Sequence, residues 1–139
     1  MSEYELKRFE LLAELSDAEL EILEDLLEPV RMLARQQVFR EGQEADGLLL
    51  VHEGKLRFSS ERTEEAGVAG PGLAVGGLSL VVVGPREVTA VAEEQGTLLK
   101  LTRTAFHRLA EDAPRATTRM LEHLLRDLTL VLRKGLDKL

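Results

Sequence analysis

Residues 70–91 read GPGLAVGGLSLVVVGPREVTAV, a glycine-rich connection that is followed by a single arginine. Glycines allow sharp turns that expose backbone N–H groups, and such groups can line a concavity that binds anions. Arg86 adds a permanent positive charge with forked donors. The stretch therefore predicts a cradle for phosphate or another anion. The alternative is structural, with tight turns at a barrel corner and a buried ion pair from Arg86 to Glu87 or another carboxylate.

Composition indicates a single globular domain. The chain has 139 residues, of which 44% are hydrophobic, enough to form a core. The absence of cysteine excludes disulfides, thiol catalysis and cysteine-ligated zinc, and it is typical of a reducing compartment. No apolar run approaches the roughly 20 residues of a membrane span, and the charged N-terminus is unlike a signal peptide. We therefore expect a cytoplasmic protein with no membrane association.

Charge and residue spacing argue against several functions. The net charge is −7, which makes the chain a poor non-specific partner for nucleic acid, and the basic C-terminal segment is interpreted as a solvated helix face. His52, His107 and His123 lie on different elements without companions at ligand spacing, so no metal site is expected. No catalytic triad or close pair of catalytic carboxylates is evident. We therefore predict no catalytic residues and no enzymatic activity.

The chain begins with helical patterning and then changes to strand patterning. Residues 9–15 form a short apolar helical patch, and Ser16 and Glu19 have the spacing of a capping box that opens a second helix, which Pro29 ends. Between residues 30 and 102, short apolar segments alternate with glycine turns, as in an antiparallel sandwich or barrel. Separate strands are predicted on either side of Glu53-Gly54 and of Gln95-Gly96, and residues 59–66 as an exposed loop.

Helical patterning returns at Arg103. A short helix precedes a long one, which is predicted from about Pro114 to Lys134 with Gly135 closing it. Its apolar arc is broad and contains a stripe at heptad-like spacing, formed by Leu121, Leu125, Leu128 and Leu132. The stripe could pack on the same domain or against a second copy.

The order of these elements resembles the cyclic nucleotide-binding domain of the catabolite-activator-type (Crp/Fnr-like) bacterial regulators. Residues 38–42, residues 45–51 and Gly54 resemble the second and third strands of that family. Residues 76–80, with Pro85-Arg86 and Thr89-Ala90, are similar to its phosphate-binding cassette in length and spacing. The resemblance covers nearly the whole chain.

This resemblance implies an α+β fold. An antiparallel β-roll, of the double-stranded β-helix or jelly-roll-like type, would carry N-terminal helices and a long C-terminal helix. Residues 1–139 would form one domain, with helices over 1–29, the roll over 30–102 including the cassette-like segment 70–91, and helices over 103–139. The chain ends at Leu139 without the helix-turn-helix domain of those regulators, so direct DNA binding is not expected.

The family cassette reads roughly Gly-Glu-Leu-Ala/Ser-Leu, then a short loop, then Pro-Arg-Ala/Ser-Ala-Thr. By position, Arg86 would pair with the cyclic phosphate, and Gly76, Gly77 and Leu78 would offer backbone N–H groups to it. Glu87 and Val88 follow the arginine and complete the candidate ligand-binding set.

Two positions depart from the family cassette. Gly77 stands where the family has the glutamate that accepts a hydrogen bond from the ribose 2′-hydroxyl, and Glu87 replaces a small residue. The missing acceptor should cost on the order of 1–3 kcal/mol of binding free energy. The Glu87 carboxylate could repel a phosphate or pair with Arg86, and Val81-Val82-Val83 is a poor helix sequence. We expect binding of cyclic AMP or cyclic GMP to be micromolar or weaker.

Two functions remain open at this point. One is a non-enzymatic regulatory sensor that binds cyclic nucleotide weakly, or another small anion, through a degenerate phosphate cassette. The other is a pseudo-binding domain that acts as a dimeric protein-interaction scaffold without a nucleotide ligand. In either case no resident cofactor is expected, and the resemblance implies a homodimer through the long helix, with a possible further protein partner.

Overall fold

The computed structural model describes residues 4–137. The chain begins with two 3₁₀ turns, Leu6–Arg8 and Glu10–Leu12, which form the short apolar helical patch predicted here. Helix α1 follows over Asp17–Leu26 and confirms the predicted capping box. The Glu19 N–H donates to Ser16 Oγ at 3.2 Å, and the Ser16 N–H donates to Glu19 Oε1 at 2.8 Å. Both donors would otherwise have no partner within the helix.

Within the described residues, eight strands, paired antiparallel throughout, form the β-roll and confirm the predicted fold class. They are β1 (Glu28–Met32), β2 (Gln37–Phe39), β3 (Glu44–Ala45), β4 (Gly47–Ser59), β5 (Gly67–Ala69), β6 (Ala74–Val75), β7 (Gly84–Pro85) and β8 (Thr89–Thr102). The long strands β4 and β8 pair from Gly47 opposite Thr102 to Ser59 opposite Thr89. Strands β1 and β2 pair with β8, and β5 and β6 pair with β4. Strands β4 and β8 thus connect the six-stranded sheet, whereas β3 and β7 pair with each other in a separate two-stranded sheet.

The predicted turns at Glu53-Gly54 and Gln95-Gly96 are wrong, since β4 and β8 each run through them as one strand. The pairing register shifts three times between Val51 and Leu56 of β4. Gly54, with a φ of +93°, lies at this irregularity, where the strand bends without reversing direction. A polar residue followed by glycine has the same local signature in a bulge as in a turn, so the sequence pattern alone did not separate the two.

The core has two parts that share strand β4. Leu48 and Leu50 pack with the helices, whereas Leu49 and Val51 face the interior of the roll. Because alternate residues of a strand point to opposite faces, a strand buried on both faces reads as a continuous apolar run. This accounts for the unbroken Leu48–Val51 segment in the sequence.

Helices α2 (Arg103–Asp112) and α3 (Pro114–Asp137) complete the chain. The predicted start of the long helix is confirmed, but its predicted end at Gly135 is wrong, because α3 continues to Asp137. An interior glycine costs a helix only about 1 kcal/mol, so it does not by itself end one. The predicted domain limits at residues 1 and 139 lie outside the described residues. Within residues 4–137, no helix is long and apolar enough to cross a bilayer.

Candidate functional site

The cassette-like segment forms one wall of a cavity of about 810 Å³. Its centre is a 3₁₀ turn over Gly77–Leu80, which lies between β6 and β7. Strand β7 pairs with β3, with Pro85 opposite Glu44, and this pairing fixes the backbone immediately before Arg86. Leu128 of α3 contributes to the opposite wall. The roll and the C-terminal helix thus build the cavity together.

Arg86 lines this cavity with only 8% of its surface exposed. Its guanidinium carbon lies 4.4 Å from the centroid of the Phe39 ring, within the range of a cation–π contact. Its Nη2 donates to the Gly47 carbonyl oxygen at 3.3 Å. Burial lowers the pKa of Arg86, an effect that Asp46 and Glu87 oppose through their negative charges. A guanidinium still keeps its proton at neutral pH, so the site holds a buried positive charge.

The predicted ion pair of Arg86 is not formed. Among the described residues, no carboxylate oxygen lies within 4 Å of its guanidinium. Glu87 is exposed and lines the cavity, but it makes no ion pair with Arg86. The ion pair in the structural alternative and the expectation that Glu87 could occupy the site by pairing with Arg86 are therefore wrong in this structure, whereas the tight glycine turns of that alternative are present, as at Gly76.

The backbone around the arginine is held by a turn from a distant part of the sequence. The Arg86 N–H donates to the Gln43 carbonyl oxygen at 2.7 Å, and the Gly42 N–H donates to the Arg86 carbonyl oxygen at 2.9 Å. Gly76 has a φ of +77°, and a Cβ atom there would lie 2.3 Å from Arg86 Nη1. Only glycine at this position permits both the turn and the close approach of the guanidinium.

Two side chains that the sequence analysis did not single out hold the cassette in place. Buried Ser79 shares its hydroxyl proton between the carbonyl oxygens of Gly47 at 2.5 Å and Gly76 at 2.6 Å. Arg103, at the start of α2, donates from Nε to the Ser79 carbonyl oxygen at 3.0 Å and from Nη2 to that of Ala45 at 2.9 Å. Since its partners are backbone atoms 24 and 58 residues away, no local sequence signal could have revealed this contact.

Comparison with known proteins identifies the family. Residues 29–113, more than half of the chain, match the sequence profile of the cyclic nucleotide-binding domain. The chain belongs to this family. Its fold is similar to the N-terminal domain of a transcriptional regulator from Streptomyces coelicolor, with 29% identity, a TM-score of 0.79 and coverage of 91% of this chain and 94% of that one. It is also similar to the catabolite activator protein of Thermus thermophilus, with 26% identity, a TM-score of 0.81 and coverage of 91% and 61%.

Curated relatives of this cyclic nucleotide-binding domain are much longer proteins. The lysophospholipase nte1 of Aspergillus fumigatus is 31% identical over 121 residues, which is 81% of this chain but 8% of the relative. The match therefore concerns one module of that protein.

Gly77 is the main departure of this cyclic nucleotide-binding domain from the family cassette, and a side chain of α3 packs against it. A Cβ atom at residue 77 would lie 2.4 Å from Leu124 Cδ2. Leu124 is half-buried and packs against the helical part of the core. The Leu124 side chain thus occupies the position of the Cβ atom that a glutamate would carry here. The sequence showed the missing acceptor but not the leucine that fills its place.

The other predicted residues divide between the cavity and its surroundings. Gly76, Gly77 and Leu78 line the cavity with Arg86 and Glu87. Val88 is not among its lining residues, because its half-buried side chain packs against the interior of the roll. In the predicted dimer stripe, Leu128 also lines the cavity and is half-buried, whereas Leu121, Leu125 and Leu132 are exposed. None of this tests the predicted dimer or ligand.

Proposed function

We propose that this domain is a non-catalytic regulatory sensor that binds a small anion at Arg86, with cyclic nucleotides as weak ligands. The observation that carries this proposal is a nine-tenths-buried guanidinium that lines a large cavity without a carboxylate partner. Asp46 and Glu87 act on this charge from a distance, but no carboxylate is in direct contact with it, and leaving a buried charge without its direct partner typically costs about 3–5 kcal/mol. An anionic ligand would offset that cost, and the fork of the guanidinium suits phosphate or carboxylate.

Weak affinity for cyclic nucleotides follows from the two departures of the cassette. Residue 77 offers no acceptor for a ribose hydroxyl, and the Leu124 side chain packs against the position of its Cβ atom. The exposed Glu87 carboxylate at the cavity adds negative charge near the phosphate position. A regulatory role within a larger protein agrees with the lysophospholipase relatives, which match over only 8% of their length. The lack of cysteine supports a cytoplasmic location.

Isothermal titration with cyclic AMP, cyclic GMP and inorganic phosphate tests the proposal. We expect dissociation constants in the micromolar range or weaker, and a loss of at least roughly tenfold in the Arg86→Gln variant because its charge is removed. Arg57→Gln is the matched control, since Arg57 is a surface residue that pairs with Glu93 on the sheet. Equal affinities of Arg86→Gln and the unmodified chain would contradict the site. Sub-micromolar binding of cyclic AMP would contradict the weak-ligand proposal.

A second candidate function, a dimeric protein-interaction scaffold, is favoured by the exposed leucines of α3. Leu125 is 64% exposed and Leu132 is 59% exposed. A row of large apolar side chains on one helix face is typical of an interaction surface. The scaffold function and anion sensing are compatible, because α3 carries the exposed leucines on its surface and also contributes Leu128 to the cavity.

A further inference from the structure

We propose that the ligand of this cavity is a singly charged organic anion with an apolar body, such as a medium-chain carboxylate, and not a sugar phosphate. The inference rests on the anion-binding function proposed above and specifies its ligand class. Three features of the cavity support it: the balance of charge, the nature of the other lining side chains, and the packing at residue 77.

The charges of the cavity favour a monoanion. Arg86 is the one cationic side chain among its lining residues, and Glu87 is the one anionic side chain. A single carboxylate or sulfonate can pair with the buried guanidinium, which gives two negative charges, the ligand and Glu87, against one positive charge. A doubly charged phosphate monoester would raise the count to three negative charges against the same guanidinium, so the monoanion is favoured.

The remaining lining side chains are mainly apolar. Leu78, Val82 and Val83 are each more than half exposed although they line the cavity, and Pro85 and Leu128 extend this surface. An apolar ligand body would remove these side chains from water, which is favourable. A ribose would place hydroxyl groups against the same surface, and unpaired hydroxyl groups lose affinity.

Apart from the exposed carboxylate of Glu87, the side chains that could receive a sugar are already engaged or absent. The Ser79 hydroxyl donates its proton to backbone carbonyl oxygens. Residue 77 has no side chain, and Leu124 packs against it within 2.4 Å of a Cβ position. The site therefore binds the negatively charged group of its ligand through Arg86, and its apolar side chains contact the rest of the ligand.

The test compares four probes by isothermal titration of the full chain. Octanoate has both the charge and the apolar body, acetate has the charge alone, octan-1-ol has the body alone, and cyclic AMP has one negative charge on a polar body. We expect octanoate to bind at least roughly tenfold more tightly than each of the other three. The advantage over octan-1-ol should disappear in Arg86→Gln.

Two matched variants locate the binding. Leu78→Asn alters a cavity residue, whereas Leu125→Asn alters an exposed leucine of α3 that does not line the cavity. Both positions are more than half exposed, so both variants should stay folded, as circular dichroism would check. We expect only Leu78→Asn to weaken octanoate binding. Equal effects of the two variants would overturn the inference, because octanoate would then be binding to apolar surface in general.

The outcomes also separate this inference from the proposed function. If cyclic AMP or inorganic phosphate binds in an Arg86-dependent way and as tightly as octanoate, the apolar-body inference fails while the anion-sensing function stands. If no anion binds with a dependence on Arg86, both fail. Octanoate binding that needs both Arg86 and Leu78 supports both.

Discussion

Arg86 shows how contacts from distant parts of the sequence give one side chain its chemistry. The Phe39 ring, the Gly47 carbonyl oxygen and the backbone of Gln43 fix its position, and all three belong to the region before the cassette. The sequence identified the arginine and its charge. It did not indicate that the guanidinium would be buried against an aromatic ring without a carboxylate, because that depends on pairing of β3 with β7. Burial without a carboxylate in direct contact is what makes the residue a candidate anion site.

A prediction about stability and cyclic AMP affinity follows from the packing at Gly77. Restoring the family glutamate with Gly77→Glu should destabilise the domain by about 1–3 kcal/mol, because its Cβ atom would meet Leu124 and force the leucine or α3 to move. Combining it with Leu124→Ala should recover part of that stability and improve cyclic AMP affinity by roughly tenfold or more, because the restored acceptor can pair with a ribose hydroxyl. Thermal unfolding and isothermal titration measure the two effects.

The Leu124→Ala variant alone is the control for this cycle. It should leave cyclic AMP affinity nearly unchanged, since Leu124 is not among the residues that line the cavity. If Gly77→Glu alone strengthened binding and kept the full unfolding free energy, the steric role of Leu124 would be disproved.

At the scale of secondary-structure elements, the sequence predicted local features better than long-range ones. The capping box of α1 and the start of α3 at Pro114 were correct because both depend on residues close together in the chain. Strands β4 and β8 were each divided in two, because the polar-glycine pairs at residues 53–54 and 95–96 were interpreted as turns. Whether such a pair bends or reverses a strand is decided by the register with its partner.

The capping box of α1 gives a prediction of pH dependence. The pKa of Glu19 is lowered, chiefly by the hydrogen bond from the Ser16 N–H and further by Arg115, whose Nη1 lies 2.7 Å from Glu19 Oε1. A depressed carboxyl pKa adds stability above its unfolded value of 4.5, and that stability is lost as the pH falls through the folded value. Glu19→Gln should therefore lower the unfolding free energy at neutral pH, and the difference should shrink below about pH 4.5. Denaturant unfolding at several pH values measures it.

Glutamine keeps an acceptor for the Ser16 N–H, so the Glu19→Gln variant removes the negative charge of residue 19 and retains the capping box. Other acidic groups, such as Glu93 with its Arg57 partner, are the same in both proteins and cancel in the difference. A stability difference that stayed constant from neutral pH to pH 3 would argue against an ionised Glu19 as the source.

At the scale of the whole molecule, α3 is the important element, because residues of this one helix contact the core, Gly77 and the cavity. Met120 and Ala116 are buried in the helical part of the core, Leu124 packs over Gly77, and Leu128 lines the cavity. The exposed leucines of the stripe, Leu121, Leu125 and Leu132, lie on the next part of the helix surface. This arrangement explains why the apolar arc in the sequence is broader than one packing face requires. It also means that ligand at Arg86 and a partner on α3 would contact the same helix.

The last prediction concerns the partner of that helix. Leu125 and Leu132 should pack against the same residues of a second copy, and each buried leucine contributes roughly 1.5–3 kcal/mol. Leu125→Glu combined with Leu132→Glu should then give a folded monomer, because both side chains are exposed and neither belongs to the core. Leu128, also in the predicted stripe, is left intact since it lines the cavity. Sedimentation at tens of micromolar, which detects an association free energy of about −6 to −7 kcal/mol, measures the change.

The matched control is Leu130→Glu. Leu130 is 54% exposed, similar to the other two, but lies about 140° around the helix from Leu125. It introduces the same charge on the same helix and should leave the dimer intact, because only residues on the stripe would face the second copy. Dissociation by Leu130→Glu as readily as by the stripe variant would show that added charge, and not loss of packing, separates the subunits. An unmodified chain that is monomeric at these concentrations would rule out the α3 dimer, and the exposed leucines would then have to be explained by a different partner.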